Sequence, residues 1–255
     1  MNYLISASTD IGIVKSSNQD SLSAKVISTN AGKLAFAVLC DGMGGLQKGE
    51  VASSSVVHAF MKWSGPRLQE LCRAGLTDED VRADWESIIR ECSEKIRAYG
   101  IRSGIRLGTT VTAMLLSPDR CRIIHVGDTR AYEIKESIRL LTRDQTVVAH
   151  EVACGTLTEE QAETDARRNV LLQCVGASDA VFPDWFSGGS CGDAVYMLCS
   201  DGFRHKISAQ EIHAAFSPEN MTDTQTMREK ERSLIELNKQ RQERDNISVV
   251  TIRTY

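Results

Sequence analysis

The chain has 255 residues, 42% of them hydrophobic and 25% charged, with a formal net charge of −4. That length suits one globular domain with a sizeable core, and the ordinary composition excludes disorder, collagen-like repeats and coiled coil. A negative balance without a basic stripe argues against a dedicated nucleic-acid binder.

In chain order, the first ten residues lack the basic start and apolar stretch of a secretion signal, so a cytoplasmic protein is expected. Apolar runs such as 35–40 and 194–199 fall far short of the roughly 20 residues that cross a bilayer, so no membrane association is expected. A strand over 34–40 ends on Asp41. Val56, Ala59, Phe60 and Trp63 follow helical spacing and predict an amphipathic helix over 49–63. Val81, Trp85, Ile88, Ile89, Cys92, Ile96 and Tyr99 predict a longer one, opening at Thr77 with Asp78, Glu79 and Asp80 in its first turn, where acids complement the helix dipole.

Further strands are expected at 110–116, 121–126, 131–134, 194–199 and 247–252. The Ser117-Pro118-Asp119 and Gly127-Asp128-Thr129 breaks suit a hairpin meander. Blocks of strands with helices before and after favour an α+β class with layered antiparallel sheets, helices packed outside. The eight cysteines are scattered without CxxC pairs, and three stand in apolar runs. They read as reduced core residues, not as a disulfide framework or a zinc site.

The aspartates carry the chemistry. Asp41 and Asp201 each end an apolar strand and are followed by glycine, at Gly42 and Gly202; Asp245 stands just before the last strand. In an antiparallel sheet, strand starts lie beside neighbouring strand ends, so the three carboxylates are expected to converge at one rim. Hard oxygen ligands gathered there suit magnesium or manganese, and a glycine after a ligand lets its carbonyl approach an ion. The bland alternative is that each Asp-Gly is an ordinary turn. The Asp41-Gly42-Met43-Gly44-Gly45 stretch lacks the spacing and Lys-Ser/Thr ending of a nucleotide P-loop.

Taken together, Gly12-Ile13-Val14-Lys15, Asn18-Gln19-Asp20-Ser21, Cys40 to Gly45, Gly108-Thr109-Thr110, Val126 to Arg130, Leu141 to Gln145, Cys199-Ser200-Asp201-Gly202 and Arg244 to Ser248 resemble the PPM family of metal-dependent protein phosphatases, type 2C, in its compact bacterial form. The resemblance implies one catalytic domain over residues 1–255, built as a four-layer α-β-β-α sandwich. It implies two divalent cations, manganese or magnesium: Asp41 bridging them, Asp201 and Asp245 completing one site, the Gly42 carbonyl serving the other, and Gln19 reaching a metal through water. Asp20 would organise the attacking water and Lys15 would bind phosphate. The implied reaction is hydrolysis of phosphoserine or phosphothreonine by direct attack of a metal-bridging water, on phosphoproteins made by a bacterial kinase, by a monomer.

Four positions depart from the commonest pattern, one of them Ile105, where many relatives have an aspartate for a third ion, so two ions are expected. Lys15 replaces an arginine and cannot form its planar fork. Gln19 replaces a frequent glutamate and adds no negative charge. Met43 stands where animal relatives have a histidine and cannot donate a proton. Residues 159–162 and 168–171 resemble the flap of bacterial members. Asp128 is expected to pair with Arg130 in a turn, Asp144 to support a turn or the site from behind, and the histidines to be structural, His205 being the most interesting of them. Two other readings remain: a pseudophosphatase acting as a binding module, and a hydrolase of small phosphoesters.

Overall fold

The computed structural model describes residues 1–30, 32–43 and 48–255. Ten strands form two five-stranded antiparallel sheets. They are β1 (Tyr3–Asp10), β2 (Asp20–Thr29), β3 (Gly32–Asp41), β4 (Val111–Leu116), β5 (Arg120–Val126), β6 (Arg130–Ile134), β7 (Ile138–Leu140), β8 (Asp184–Gly189), β9 (Ala194–Cys199) and β10 (Ile247–Thr254). One sheet runs β1-β10-β9-β6-β7 and the other β2-β3-β4-β5-β8. The helices are α1 (Gly49–Trp63), α2 (Pro66–Ala74), α3 (Asp78–Ser103), α4 (Val147–Ala153), α5 (Glu159–Thr164), α6 (Asp201–Arg204), α7 (Ala209–Phe216) and α8 (Thr224–Gln240).

The continuous apolar runs have a simple origin, because the central strands are covered on both faces. Along β3, Phe36, Val38 and Cys40 face a cluster with α1 and α3, while Ala35, Ala37 and Leu39 face the second sheet. Along β9, Val195, Met197 and Cys199 face α6, α7 and α8, while Tyr196 and Leu198 face back between the sheets. The result is the expected α-β-β-α sandwich. Trp85 of α3 is its largest fully buried side chain, with ring centroids 5.2 Å from Trp63, 5.8 Å from Phe60, 6.0 Å from Phe36 and 5.9 Å from Trp185. Thr77 caps α3 by accepting the Asp80 amide at 3.1 Å.

The expected meander is corrected. β4 and β5 do form a hairpin, closed by the Ser117 amide on the Arg120 carbonyl at 2.8 Å. Beyond β5, however, the chain leaves that sheet, and β6 pairs with β7 and β9 in the other. The crossing at 127–129 is held by Gln145, whose side chain accepts the Gly127 amide at 2.9 Å and whose own amide bonds the Gly127 carbonyl at 2.7 Å. Those bonds take the place of a β5–β6 turn. All eight cysteines are free. Among the described residues, no helix is long and apolar enough to cross a membrane.

Candidate metal centre

Sheet register brings the acids together. Asp20 opens β2 and lies directly opposite Asp41, the last residue of β3. Asp41 is fixed through its backbone, its amide donating to the Thr110 hydroxyl at 2.9 Å and its carbonyl accepting the Thr110 amide and the Thr109 hydroxyl at 2.9 and 2.8 Å. In the other sheet, β9 and β10 are neighbours, so Asp201 follows a strand end that lies beside the start of β10. The Ser200 amide donates to the Ser248 carbonyl at 3.0 Å, and the Ser248 amide to the Ser200 hydroxyl at 3.0 Å. Asp245 precedes β10 and accepts the Asn246 amide at 2.8 Å.

Two glycines set how closely these loops approach. A Cβ on Gly42 would stand 2.5 Å from both the Gln19 and the Gly49 carbonyl oxygens. A Cβ on Gly202 would stand 2.2 Å from the Asn246 oxygen. Neither position admits alanine without moving backbone. Asn246 joins the N-terminal loop to this rim: its Oδ1 accepts the Gln19 amide at 2.9 Å, and its Nδ2 donates to the Ile11 and Ser17 carbonyls at 2.9 and 3.2 Å.

The acids perturb one another. Burial, with the Asp201 and Asp245 carboxylates adding to it, pushes the Asp20 carboxyl up to about 7, although the nearby Ser248 and Ser200 hydroxyls oppose the shift. Burial and then the carboxylates of Asp20, Asp201, Asp128 and Asp245 hold Asp41 well above the usual carboxylate range. Asp128 also rises to about 7, through burial and Asp201, against the opposing charge of Arg204. Like charges in a dry site cannot all ionise without a cation. Both Asp20 oxygens and Oδ1 of Asp201 are buried and have no hydrogen-bond partner among the described residues. Such orphaned acceptors are costly unless something else satisfies them, and an all-oxygen donor set fits a hard divalent cation. No three His, Cys, Asp or Glu side chains among the described residues close on one ion position. The Lys15 ammonium lies 2.8 Å from Asp245 Oδ1. Burial works against its charge, but the hydrogen bond to Asp245 and the carboxylates of Asp245, Asp41 and Asp201 outweigh it and hold its pKa above the ordinary lysine value.

The structure therefore brings Lys15, Gln19, Asp20, Asp41, Gly42, Asp201 and Asp245 to one rim. Gln19 makes a specific local contact there, its Nε2 donating to Glu50 Oε2 of α1 at 3.4 Å. Gly44 and Gly45 of the same motif lie outside the described residues. Asp128 is a correction. Arg130 pairs instead with Asp144, by two bonds of 2.8 Å, and Arg204 joins them at 3.2 Å. Asp128 is left as part of the acidic group, its main-chain carbonyl accepting from Arg204 at 3.2 Å. Its Gly-Asp-Thr setting reads as a turn, and only the buried strands on either side signal otherwise. Four histidines make local contacts: His125 sits between the Thr112 hydroxyl and the Gly127 carbonyl, His213 on the Lys135 carbonyl, and His150 beside Cys154, while His205 lies between Asp201 and Glu243.

The layered sandwich with an acidic rim defines an α-β-β-α fold, and comparison with known proteins gives the family. Residues 13–240 match the family described as protein phosphatase 2C, and the chain belongs to that family. It is 29% identical over 211 residues to the protein phosphatase PhpP of Streptococcus pneumoniae, covering 82% of each chain. A solved serine/threonine phosphatase of S. agalactiae superposes with a TM-score of 0.84 over 100% of both chains, at 28% identity. The catalytic domain of the serine/threonine phosphatase PstP, solved in complex with two manganese ions, superposes with a TM-score of 0.77 over 99% of both chains, at 26% identity.

Proposed function

We propose that this serine/threonine protein phosphatase hydrolyses phosphoserine and phosphothreonine in protein substrates, using two divalent cations, manganese or magnesium, at the acidic rim. The observation that carries the reading is the group of buried, mutually perturbed carboxylates of Asp20, Asp41 and Asp128 beside Asp201 and Asp245. The two manganese ions in the PstP structure support the count. Asp41, Asp201, Asp245 and the Gly42 carbonyl are the groups to hold them, with Gln19 contributing through water. When bound, such ions supply Lewis acidity that activates water and neutralises phosphoryl oxygens.

The chain's own groups do the rest. Asp20, directly opposite Asp41 in the β2–β3 register, is suited to orient the attacking water and accept a hydrogen bond from it. Lys15 is suited to pair with a phosphoryl oxygen as a point charge, exchanging its contact with Asp245 for one with substrate. Met43 has no proton to give, so the leaving alkoxide takes its proton from water. The phosphoproteins are those of a serine/threonine kinase in the same cytoplasm, and the enzyme acts as a monomer in this reading.

The test is phosphate release from a phosphothreonine peptide with manganese present. Wild type is expected to turn over, and a chelator or Asp201→Asn to abolish release. Turnover indifferent to chelator would sink the metal reading. Manganese binding without turnover would instead make the chain a pseudophosphatase binding module. Rates on a small phosphoester far above those on the peptide would favour the small-substrate hydrolase.

A further inference from the structure

The backbone ladder between β9 and β10 ends at Ser200 and Ser248, before either of the acids it is supposed to aim. Asp201 lies one residue beyond it on one side and Asp245 three residues beyond it on the other. A second connection spans that gap. Glu243 is buried and its Oε1 accepts the amides of both Arg244, at 2.8 Å, and Asp245, at 3.0 Å. A carboxylate gripping two successive amides fixes the direction in which the chain enters Asp245. Its other oxygen, Oε2, is buried and lacks a hydrogen-bond partner among the described residues. That oxygen stands 3.7 Å from Nδ1 of His205, and Nε2 of the same imidazole stands 3.6 Å from Asp201 Oδ2.

The scaffold delivers both residues to this place. Gln242, after the end of α8, takes a left-handed conformation at φ 62°, and the Glu243 amide returns to the Asn238 carbonyl at 3.0 Å. Asn238, fully buried, also donates to the Phe203 carbonyl of α6 at 2.8 Å. One residue of α8 thus ties down the short helix that His205 caps and the turn that bears Glu243. A left-handed non-glycine residue persists only where its surroundings hold it.

We infer that His205 and Glu243 are a positioning pair: the imidazole links the Asp201 carboxylate to Glu243, and Glu243 passes that constraint to the backbone of Asp245, so the two acidic loops are aimed as one unit. Neither residue touches substrate in this account. The inference rests on the reading of Asp201 and Asp245 as ion-holding groups, because aiming them matters only if they converge on a ligand. Partners lying behind a metal ligand commonly change ion affinity by 10–100-fold when removed.

The experiment is a double-mutant cycle read by calorimetric titration of manganese, with kcat, KM and the metal-free melting temperature measured alongside. His205→Ala is expected to weaken manganese binding by about 10–100-fold. Glu243→Gln keeps an oxygen for the two amides but loses the charge facing the imidazole, and is expected to weaken it less. The double variant should be little worse than His205→Ala alone, because the two act in series. The apparent KM for peptide at saturating manganese should stay within about twofold, since substrate is not touched. Manganese affinity unchanged in both single variants, or strictly additive effects, would overturn the pair while leaving the metal centre standing. A wild type that binds no manganese would overturn both. A fall in melting temperature with unchanged affinity would reduce the pair to a structural brace.

Discussion

The layer between α3 and its sheet and the rim at the strand ends bury opposite kinds of side chain: Trp85 and Phe60 are fully buried rings, whereas Asp20, Asp128 and Asp201 are buried carboxylates beside a part-exposed Asp245. Around Trp85, apolar rings pack edge to face; Trp63 Nε1 donates to Asp84 at 2.9 Å, while the neutral Trp85 Nε1 is buried without a hydrogen-bond partner among the described residues. At the rim, Asp20 is as enclosed as many core residues, yet both its oxygens lack hydrogen-bond partners among the described residues and the carboxylates of Asp201 and Asp245 stand near it. Elsewhere the fold buries a carboxylate with its needs met: Glu231 of α8 is fully buried and accepts hydroxyls from Ser6, Ser8 and Thr251 at 2.8, 2.7 and 2.6 Å. Burial alone therefore does not explain the rim. It is a place where crowded, unpartnered carboxyls cost stability, and a cation held there would return it.

Trp85→Ala leaves a large cavity under α1 and α3 and is expected to cost about 3–5 kcal/mol of folding stability. Denaturant unfolding measures it, and the kcat of the protein still folded should be unchanged. A loss of kcat equal to the loss of stability would show that the layer and the rim are not separable.

The next effect belongs to pH. An unfolded Asp titrates near 3.8, whereas folded Asp20 and Asp128 titrate near 7. The folded, metal-free protein therefore keeps protons that the unfolded chain has lost, so this stability is complete below about pH 4 and disappears as pH rises through about 7. His125, whose pKa burial lowers, acts oppositely below 6.5, but it is one group against several. Between pH 5 and 7.5 the metal-free melting temperature is expected to fall by roughly 5–10 °C. Asp128→Asn should make that fall shallower. A melting temperature that rises over this interval in the wild type would contradict the assignment of strain to the rim.

The smallest effect sharpens the chemistry of one position. Gln19→Glu adds a charge beside Glu50 and the acidic group, and is expected to tighten manganese binding by about fivefold while lowering metal-free stability at neutral pH. Calorimetric titration and a melting curve of the same sample would show the two changes moving in opposite directions.

What the sequence made legible follows from the same contrast. Strands buried on both faces, such as β3 and β9, announce themselves as unbroken apolar runs, and α1 and α3 as apolar stripes. β1 and β2 were not foreseen because their residues, Tyr3 to Asp10 and Asp20 to Thr29, alternate small, polar and half-buried side chains. α8 escaped for a related reason: its buried face includes Glu231 and Asn238, so its helical period is partly polar. The rim acids at strand ends were legible by position, as were Lys15, Gln19 and Asp20 through motif resemblance. Asp128 was misplaced because the nearest countercharge along the chain, Arg130, serves Asp144 in space. Glu243 and Asn246 sit in a polar stretch whose hydrogen bonds only the fold reveals.

On this reading the rim acids oppose folding until a divalent cation joins them. Melting temperatures of wild type and Asp41→Asn at pH 7.5, each with and without manganese, test it most directly. Without the ion, Asp41→Asn should melt several degrees above wild type, because the rim no longer holds a carboxyl that must charge beside other acids or take up a proton on folding; with saturating manganese, wild type should gain more and overtake it. A variant that melts below wild type without manganese, or an equal gain for both with it, would contradict the account.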